Sequence, residues 1–334
     1  MLLSRPGYFQ TSDTRMKTSF LNERRLPLVV EPEGGASAGG PEALFELWRE
    51  HGETLRGRLL EHGALLLRGF SMSGAAELER FVRLFSGRDP LDYVGGASPR
   101  VKLGEGVYTS TEYPSRLTLL PHNELSYTFR WPAHLFFCCA TPPGSGGETP
   151  LADSRAVLRK LDPQVCARFR QKGIRYVRNL SGEAGSGYSW QEAFETEDGV
   201  AVEEFCRSGQ VSFSWRGDGG LRLCEVRPAT AKHPLTGEEV WFNQAEGFHP
   251  SALDPETYRA LTARAGEEGL RLNSFYGDGT PLEAAALEHV REVVGAESMP
   301  VAWREGDLLV IDNLLAAHGR NPFDGPRRIL LSMA

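Results

Sequence analysis

The sequence predicts a mainly β protein with added helices, in the form of a β-sandwich or a jelly roll. Two observations carry this prediction. Many short segments have the composition and alternation of strands, and the clearest of them is the apolar run at residues 132–140. Segments with helical periodicity are fewer, and several of them lie near the N-terminus or at about residues 250–300.

A glycine-rich stretch at residues 34–40 separates an N-terminal segment from the rest of the chain. We expect residues 1–40 to be an irregular N-terminal segment, because the apolar run at 26–30 is short and residues 34–40 are rich in glycine. This glycine stretch lacks the Lys-Ser/Thr ending of a phosphate-binding loop. Residues 41–334 are predicted to form a single domain. It should begin with a helix to about residue 61, a buried strand at 64–68 and a second amphipathic helix at 75–85.

The remaining elements follow from periodicity and from start signals. Asp153 or Ser154 and then Pro163 can begin two helices, and Asp254-Pro255 begins a later one. Thr280 to Glu283 has the form of a capping box for a helix at 284–294. The other predicted helices are 189–196 and 200–207, and the predicted strands are 148–153, 174–179, 210–215, 221–226, 238–244, 308–312 and 328–332.

Composition excludes several classes of protein. The net charge is −7 and no long basic run is present, so we expect no nucleic-acid partner. The five cysteines have no Cys-x-x-Cys spacing, and the neighbours Cys138 and Cys139 should face opposite sides of a strand, which suits core residues better than a disulfide or zinc framework. The N-terminus lacks the apolar region of a signal peptide, and no run approaches the about 18 apolar residues that span a bilayer. We therefore expect a soluble, cytoplasmic protein without a membrane partner.

The strongest chemical signal is a His-x-Glu pair with a distant second histidine. If residues 120–127 are extended, His122 and Glu124 project to the same side of the strand. His318 follows the strand-like run at 308–312, 194 residues beyond Glu124 (318 − 124). Two histidines and one carboxylate with open positions are the facial triad of non-haem Fe(II) oxygenases. The His-x-Glu pair alone is more often structural, so the prediction depends on the features around it.

Two further features fit such a site. Arg327 and Arg328 follow His318 by nine and ten residues, and Thr149 ends a Gly-Gly-Glu-Thr stretch after the next strand. A 2-oxo acid that chelates the metal needs its distal carboxylate held by a bidentate guanidinium and a hydroxyl group. Arg328 and Thr149 are the expected pair. Because residues alternate along a strand, only one of the two arginines can point inward.

These motifs resemble the taurine-dioxygenase-like and clavaminate-synthase-like family of Fe(II)- and 2-oxoglutarate-dependent oxygenases. They are the His-Asn-Glu of 122–124, the Gly-Gly-Glu-Thr of 146–149 and the stretch 318–328. The resemblance covers residue 60 to the end. It implies a double-stranded β-helix fold, Fe(II) on His122, Glu124 and His318, and 2-oxoglutarate on Arg328 and Thr149. It also implies oxidative decarboxylation to succinate and CO₂, coupled to hydrogen abstraction from an unactivated C–H bond.

Two departures from the family pattern narrow the substrate. Where the taurine enzyme has a second arginine for sulfonate, this chain has Ser332, so an alkylsulfonate is not expected. Glu124 replaces the usual Asp, which resembles amino-acid β-hydroxylases of nonribosomal-peptide pathways. Related halogenases have Ala or Gly there, so Glu124 favours hydroxylation or desaturation over halogenation.

Several residues are candidates for substrate binding. The stretch Thr109, Ser110 and Glu112 offers polar groups for an amino-acid head group, although a polar surface loop explains it equally well. Asn243 and Gln244 of a predicted strand, together with Glu246, could line the substrate pocket, but an edge strand explains them as readily. Arg320 either pairs with a substrate carboxylate or lies at the surface.

The sequence therefore predicts a hydroxylase acting on an amino acid, either free or carried on a peptidyl carrier protein, in secondary-metabolite biosynthesis. A desaturase or cyclase with a similar substrate is the alternative within enzymes. A non-catalytic metal- or ligand-binding β-barrel and a zinc hydrolase that uses the same three ligands also remain open. Homo-oligomerisation is left open as well.

Overall fold

The computed structural model describes residues 16–34, 39–111, 113–183 and 187–334. Most of the predicted strands and helices are present at the predicted positions. The strands are β1 (Met16–Phe20), β2 (Leu28–Pro32), β3 (Ala64–Leu67), β4 (Lys102–Gly104), β5 (Val107–Thr109), β6 (Leu119–His122), β7 (His134–Thr141), β8 (Ser145–Gly146), β9 (Thr149–Asp153), β10 (Ile174–Leu180), β11 (Ser212–Trp215), β12 (Leu221–Arg227), β13 (Thr230–Lys232), β14 (Glu239–Trp241), β15 (Leu272–Tyr276), β16 (Met299–Val301), β17 (Leu308–Asp312), β18 (Ala316–Arg320), β19 (Phe323–Asp324) and β20 (Arg328–Met333).

The helices include two short 3-10 turns at Pro250–Ala252 and Glu267–Gly269. None of the helices in the described ranges is long and apolar enough to span a membrane. The α-helices are α1 (Pro41–His62), α2 (Ala75–Ser86), α3 (Ser154–Lys160), α4 (Pro163–Lys172), α5 (Trp190–Phe194), α6 (Gly199–Ser208), α7 (Ala245–Phe248), α8 (Pro255–Ala265) and α9 (Ala284–Glu297).

An eight-stranded sheet, in the order β1-β2-β3-β17-β7-β20-β5-β4, forms one wall of the molecule. Both of its faces are covered, so its central strands are buried throughout. On β7, Phe136 and Cys138 pack with the apolar sides of α1 and α2, whereas Phe137 and Cys139 face the opposite core. The two adjacent cysteines therefore point to opposite faces, as the alternation of a strand predicts.

A four-stranded sheet, in the order β16-β9-β18-β6, forms the facing wall. Its buried residues, such as Leu151 on β9 and Ala316 on β18, share one hydrophobic core with the inner face of the large sheet, to which Leu331 on β20 belongs. Two sheets closed around such a core, with helices outside, confirm the predicted mainly β fold with a jelly-roll core. The strands that carry the two candidate histidines, β6 and β18, are neighbours in this smaller sheet.

The N-terminal segment differs from the expectation. Residues 1–40 were expected to be irregular, but β1 and β2 pair with each other and β2 extends the large sheet by parallel pairing with β3. The apolar run that begins at Leu26 is buried because it supplies this additional strand. The expectation was wrong for 16–32, since a five-residue strand needs only a neighbour with free backbone groups. Residues 1–15 and 35–38 of this segment lie outside the described residues.

A third sheet has the order β11-β12-β10-β15, and the short helix α7 packs against β10 and β15. The predicted start of α8 is confirmed, because the Asp254 carboxylate accepts a hydrogen bond from the Thr257 amide at 2.9 Å. The capping box at Thr280 is wrong. The Thr280 hydroxyl donates to Asp278, and Glu283 is the residue that precedes the helix. The helix itself begins at Ala284, where the sequence predicts it. The insertion expected around 250–300 thus contains helices and also β15, which belongs to the third sheet.

Candidate metal centre and substrate cavity

The candidate ligands meet where β6 and β18 pair. His122 and His318 are directly opposite each other in this antiparallel pair, with ring centroids 4.6 Å apart. Glu124 lies just beyond the end of β6, and its Oε2 is 3.8 Å from His318 Nε2. One ligand atom from each of the three residues lies within 4.8 Å of the others. The structure therefore brings together the three residues that the sequence singles out as metal ligands.

Glu124 reaches this place by a different route from the predicted one. The segment is not extended through Glu124; the chain turns after His122, and Leu125 has a positive φ of 55°. Asn313, in the β17–β18 loop, holds the turn. Its side-chain oxygen accepts from the Glu124 amide at 2.7 Å and its Nδ2 donates to the Glu124 carbonyl at 2.9 Å. The carboxylate is thus positioned by a turn that the loop before His318 fixes.

The protonation of both histidines suits metal binding. His122 Nδ1 lies 2.7 Å from the Leu120 carbonyl oxygen. An N–H there would donate to that oxygen and leave Nε2 as the free lone pair. Burial, followed by the charges of His122 and Arg100, holds the pKa of His318 well below its usual value. The neutral imidazole is the form that binds a divalent cation.

Arg100, which sequence reasoning did not find, lies beside the three candidate ligands. Its Nη2 donates to Glu124 Oε2 at 2.8 Å, and both side chains are almost fully buried. The guanidinium also stacks 4.4 Å from the centroid of the Tyr93 ring. It lies in a loop between α2 and β4 that carries no recognisable motif, so only the folded chain shows its proximity to Glu124.

The two neighbouring arginines are placed opposite to the prediction. Arg328 is exposed, and Arg327 is largely enclosed. The next residues on β20 explain this, because Ile329, Leu331 and Met333 line the inner core and Leu330 faces the helices. Because side chains alternate along a strand, Arg327 points to the same side as Ile329, Leu331 and Met333. The assignment of Arg328 to the 2-oxoglutarate pocket is therefore wrong, and Arg327 is the arginine that points inward.

Arg327 lies among polar groups but has no carboxylate partner in the described part of the chain. Its Nε and Nη1 lie 3.3 Å from the Gly147 carbonyl and the Ser110 hydroxyl oxygen. Burial, with the charge of Arg320, lowers its pKa to about 10. Thr149, two residues beyond Gly147, is buried and its hydroxyl oxygen accepts from the Trp303 indole at 3.1 Å. This leaves the Thr149 O–H proton available to a ligand.

A cavity of about 320 Å³ opens next to the candidate metal ligands. Apolar and aromatic groups make up most of the wall, and the charged groups come from several distant segments. The lining residues with polar or aromatic chemistry include Arg100, His122, Glu124, Tyr127, Glu246 and Arg271.

Of the substrate residues predicted at 109–112, Thr109 and Ser110 do not line this cavity. Thr109 pairs within the large sheet and its hydroxyl accepts from the Val101 amide, while the nearby Thr111 lines the cavity. Ser110 contacts Arg327 instead. Glu112 lies outside the described residues.

Two further candidates have structural partners that correct their assignment. The Asn243 amide group donates to the Ala229 carbonyl and accepts from the Ala245 amide, so both its ends serve the backbone at the start of α7. Arg320 is buried and donates to the carbonyls of Tyr113, Pro114 and Leu117. It therefore supports the loop before β6. Neither side chain lines the cavity as the sequence suggested, although the buried Nε of Arg320 has no hydrogen-bond partner among the described residues.

Comparison with known families decides what kind of site this is. Residues 30–334 match the family model described as taurine catabolism dioxygenase TauD, TfdA family. The chain belongs to the TauD/TfdA family. It is a 2-oxoglutarate-dependent dioxygenase that uses Fe(II), as its fold and its converging His, Glu and His indicate.

Relatives of this TauD/TfdA chain include proteins of bacteria and plants. It is 38% identical to the dapdiamide synthesis protein DdaC of Enterobacter agglomerans over 82% of this chain and 83% of that protein. It is 32% identical to a clavaminate synthase-like protein of Arabidopsis thaliana, over 92% and 93% of the two chains. Among solved structures, PvcB of Pseudomonas aeruginosa superposes with a TM-score of 0.56 at 19% identity, over 97% of this chain and 92% of PvcB, which supports the fold.

Proposed function

We propose that His122, Glu124 and His318 are the Fe(II) ligands of this dioxygenase. The observation that carries the proposal is the convergence of one ligand atom from each residue within 4.8 Å. Two imidazoles and one carboxylate on one side of a metal leave adjacent positions for a chelating co-substrate and for oxygen. The buried, neutral His318 and the oriented His122 support it.

Arg327 is proposed as the group that holds the distal carboxylate of 2-oxoglutarate. A half-buried guanidinium without a carboxylate partner is partly desolvated at some cost, and an anionic ligand would offset that cost. The free hydroxyl proton of Thr149 is the second proposed donor, and Ser110 would orient the guanidinium. This arrangement keeps Thr149 from the original assignment and replaces Arg328 by its neighbour.

The proposed reaction is hydroxylation of an unactivated C–H bond in an amino acid, free or carried on a carrier protein, in the cytoplasm. Fe(II) and 2-oxoglutarate, when bound, would activate dioxygen and so supply the oxidising chemistry. The chain would contribute the fixed Glu124 carboxylate, the Arg100 contact that orients it and the aromatic wall that keeps water away. The charged cavity supports a small polar substrate, and the name of the dapdiamide relative supports a secondary-metabolite pathway. Five unpaired cysteines fit a reducing compartment.

Desaturation or cyclisation of a similar substrate is the competing outcome. Both reactions would use the same ligands and consume the same 2-oxoglutarate, so only the product separates them. A gain of one oxygen atom by mass spectrometry would support hydroxylation, and a loss of two hydrogen atoms would support desaturation or ring formation.

The test of the proposed function is anaerobic reconstitution with Fe(II) and 2-oxoglutarate, followed by addition of oxygen with a panel of amino acids. We expect the weak visible charge-transfer band of the chelate, and succinate formation that a substrate stimulates. Glu124→Ala should weaken Fe(II) binding, while Glu297→Gln, at a buried glutamate paired with Arg24 and Lys160, should leave it unchanged. A folded protein that binds Fe(II) equally well with Glu124→Ala would overturn the ligand assignment.

A further inference from the structure

Arg100 has unused hydrogen-bonding capacity inside the cavity. Its side chain is 3% exposed. Nη2 is bonded to Glu124, but Nε and Nη1 are buried and have no hydrogen-bond partner among the described residues. Nε and Nη1 lie on different edges of the planar guanidinium, and each edge is shared with Nη2, so an anion can bind one of these vacant donors together with the second N–H of Nη2. The vacant donors of Arg100 therefore indicate an anionic ligand group close to the metal ligands.

Glu246 presents the opposite charge to the same cavity. It lies in the short helix α7, is 4% exposed, and its Oε2 has no hydrogen-bond partner among the described residues. The nearby Arg291 does not bond this carboxylate; its guanidinium donates to the Glu246 backbone carbonyl, to Ser251 and to Glu288. Burial raises the pKa of Glu246 to about 7. A cation in the cavity would restore the ionised carboxylate.

Arg100 and Glu246 do not form an ion pair with each other, since the carboxylate on Arg100 is that of Glu124. A protein gains nothing in stability from two buried charges with empty bonding positions. Such groups are retained where a ligand completes them. A ligand with an anionic group at one end of its polar part and a cationic group nearby would satisfy both.

We propose that the cavity binds a free α-amino acid as its zwitterion, with the carboxylate on Arg100 and the ammonium on Glu246. This rests on the proposed function and makes its substrate class definite. A carrier-bound aminoacyl group has lost the carboxylate charge to the thioester, and it would leave the Arg100 fork empty. The free amino acid is therefore the substrate form that this cavity recognises.

The first experiment compares ligands on the unmodified protein loaded with Fe(II) and 2-oxoglutarate without oxygen. Standard free L-amino acids are titrated while the chelate band and the thermal midpoint of unfolding are followed. The tightest ligand is then compared with its carboxamide, its N-acetyl derivative and its N-acetylcysteamine thioester. We expect each derivative to bind about tenfold or more weakly, the loss of a charged hydrogen-bonded contact.

The second experiment repeats these titrations with single variants. Arg100→Gln keeps a donor for Glu124 and should abolish the preference for the free acid over the carboxamide. Glu246→Gln should abolish the preference for the free ammonium over the N-acetyl derivative and leave the first preference intact. Such selective loss distinguishes binding from a general structural effect. Glu297→Gln, outside the cavity, should keep both preferences.

Several results would overturn the inference. One is tighter binding of the thioester than of the free acid, and another is no response to any free amino acid in protein that forms the chelate band. Loss of the carboxylate preference in Arg271→Gln, and not in Arg100→Gln, would move the anion site to the other arginine of the cavity. If Arg100→Gln does not fold, the inference is still tested by Glu246→Gln, which should lose the preference for the free ammonium over the N-acetyl derivative. Absence of the chelate band in folded wild-type protein would instead refute the proposed function.

Discussion

The Asn313 side chain forms hydrogen bonds with both backbone polar groups of Glu124, the amide and the carbonyl. The side-chain oxygen of Asn313 is 2.7 Å from the Glu124 amide nitrogen, and its Nδ2 is 2.9 Å from the Glu124 carbonyl oxygen. Nδ2 also donates to the Pro132 carbonyl at 2.9 Å. Because Asn313 immediately follows β17, it couples the turn that carries the carboxylate ligand to the strand pair that carries His318. One amide side chain thus sets the spacing of ligands that are far apart in sequence.

Asn313→Ala should weaken Fe(II) binding about tenfold or more, the usual effect of removing a group that orients a ligand. It should also destabilise the fold by about 2–4 kcal/mol, because buried backbone groups of Glu124 lose their partners. Fe(II) titration and urea unfolding measure the two effects. Asn243→Ala is the control, since Asn243 is equally buried and also serves the backbone. It should lose stability but keep Fe(II) affinity; equal loss of Fe(II) affinity in both variants would contradict the role of Asn313.

Arg327→Gln and Arg328→Gln form a matched pair one residue apart. Arg327→Gln should raise the KM for 2-oxoglutarate by roughly two orders of magnitude, equivalent to about 3 kcal/mol, because a buried charge-paired contact is lost. Arg328→Gln should leave it nearly unchanged, since that side chain is exposed. Fe(II) affinity is measured in both variants as a check on folding. The opposite result would restore the assignment that the sequence first suggested.

Arg327 and Arg328 show how much of the candidate site can be predicted from the sequence. His122, Glu124 and His318, which the structure brings together, could be singled out from sequence because their residue types and order are distinctive. Alternation predicts that one of Arg327 and Arg328 points inward, but it cannot choose between them. That choice depends on which face of β20 meets the inner core, and the burial of Ile329, Leu331 and Met333 in that core places Arg327 on the inner side.

Arg100 was missed, and its place in the same cavity as the candidate Glu246 was not foreseen, for a different reason. Each lies in a short irregular or helical connection without a motif, and they become neighbours of one cavity only through tertiary packing. The fold class followed from strand alternation, which is local and therefore readable. The strands at 16–32 were missed because short, isolated apolar runs become strands only when a sheet edge accepts them, as β3 accepts β2.

The buried ion pair of Arg68 and Asp307 should matter for folding and little for catalysis. The guanidinium donates to both carboxylate oxygens, at 2.9 and 2.7 Å, and Asp307 is fully buried. Arg68→Met should cost about 3–5 kcal/mol, because it leaves an unpaired buried carboxylate. Asp307→Asn in the same chain should recover much of this loss, as the amide oxygen can still accept from the Arg304 amide. Urea unfolding of the single and double variants measures the coupling, and additive losses would show that the pair is not coupled.

Glu246 gives the stability of the protein a defined pH dependence. Burial raises its pKa from an ordinary 4.5 to about 7 in the folded state. Between these values the unfolded carboxyl group has lost its proton and the folded one still holds it. The free energy of unfolding therefore falls as the pH rises through this window, and the full penalty is present above the folded pKa. A ligand-binding carboxylate thus makes the ligand-free protein less stable at alkaline pH.

Glu246→Gln should remove this penalty. At pH 8 the variant should be more stable than the parent by up to about 3 kcal/mol, the value that corresponds to the pKa difference. At pH 4, where both states of the parent are protonated, the two proteins should differ little. Urea unfolding at several pH values measures the difference, with Glu297→Gln as a control that loses stability because its partners Arg24 and Lys160 are left unpaired. A Glu246→Gln variant that is less stable than the parent at pH 8 would mean that the ionised carboxylate already has a partner in the folded protein. The ammonium-binding role proposed for Glu246 would then lose its physical basis.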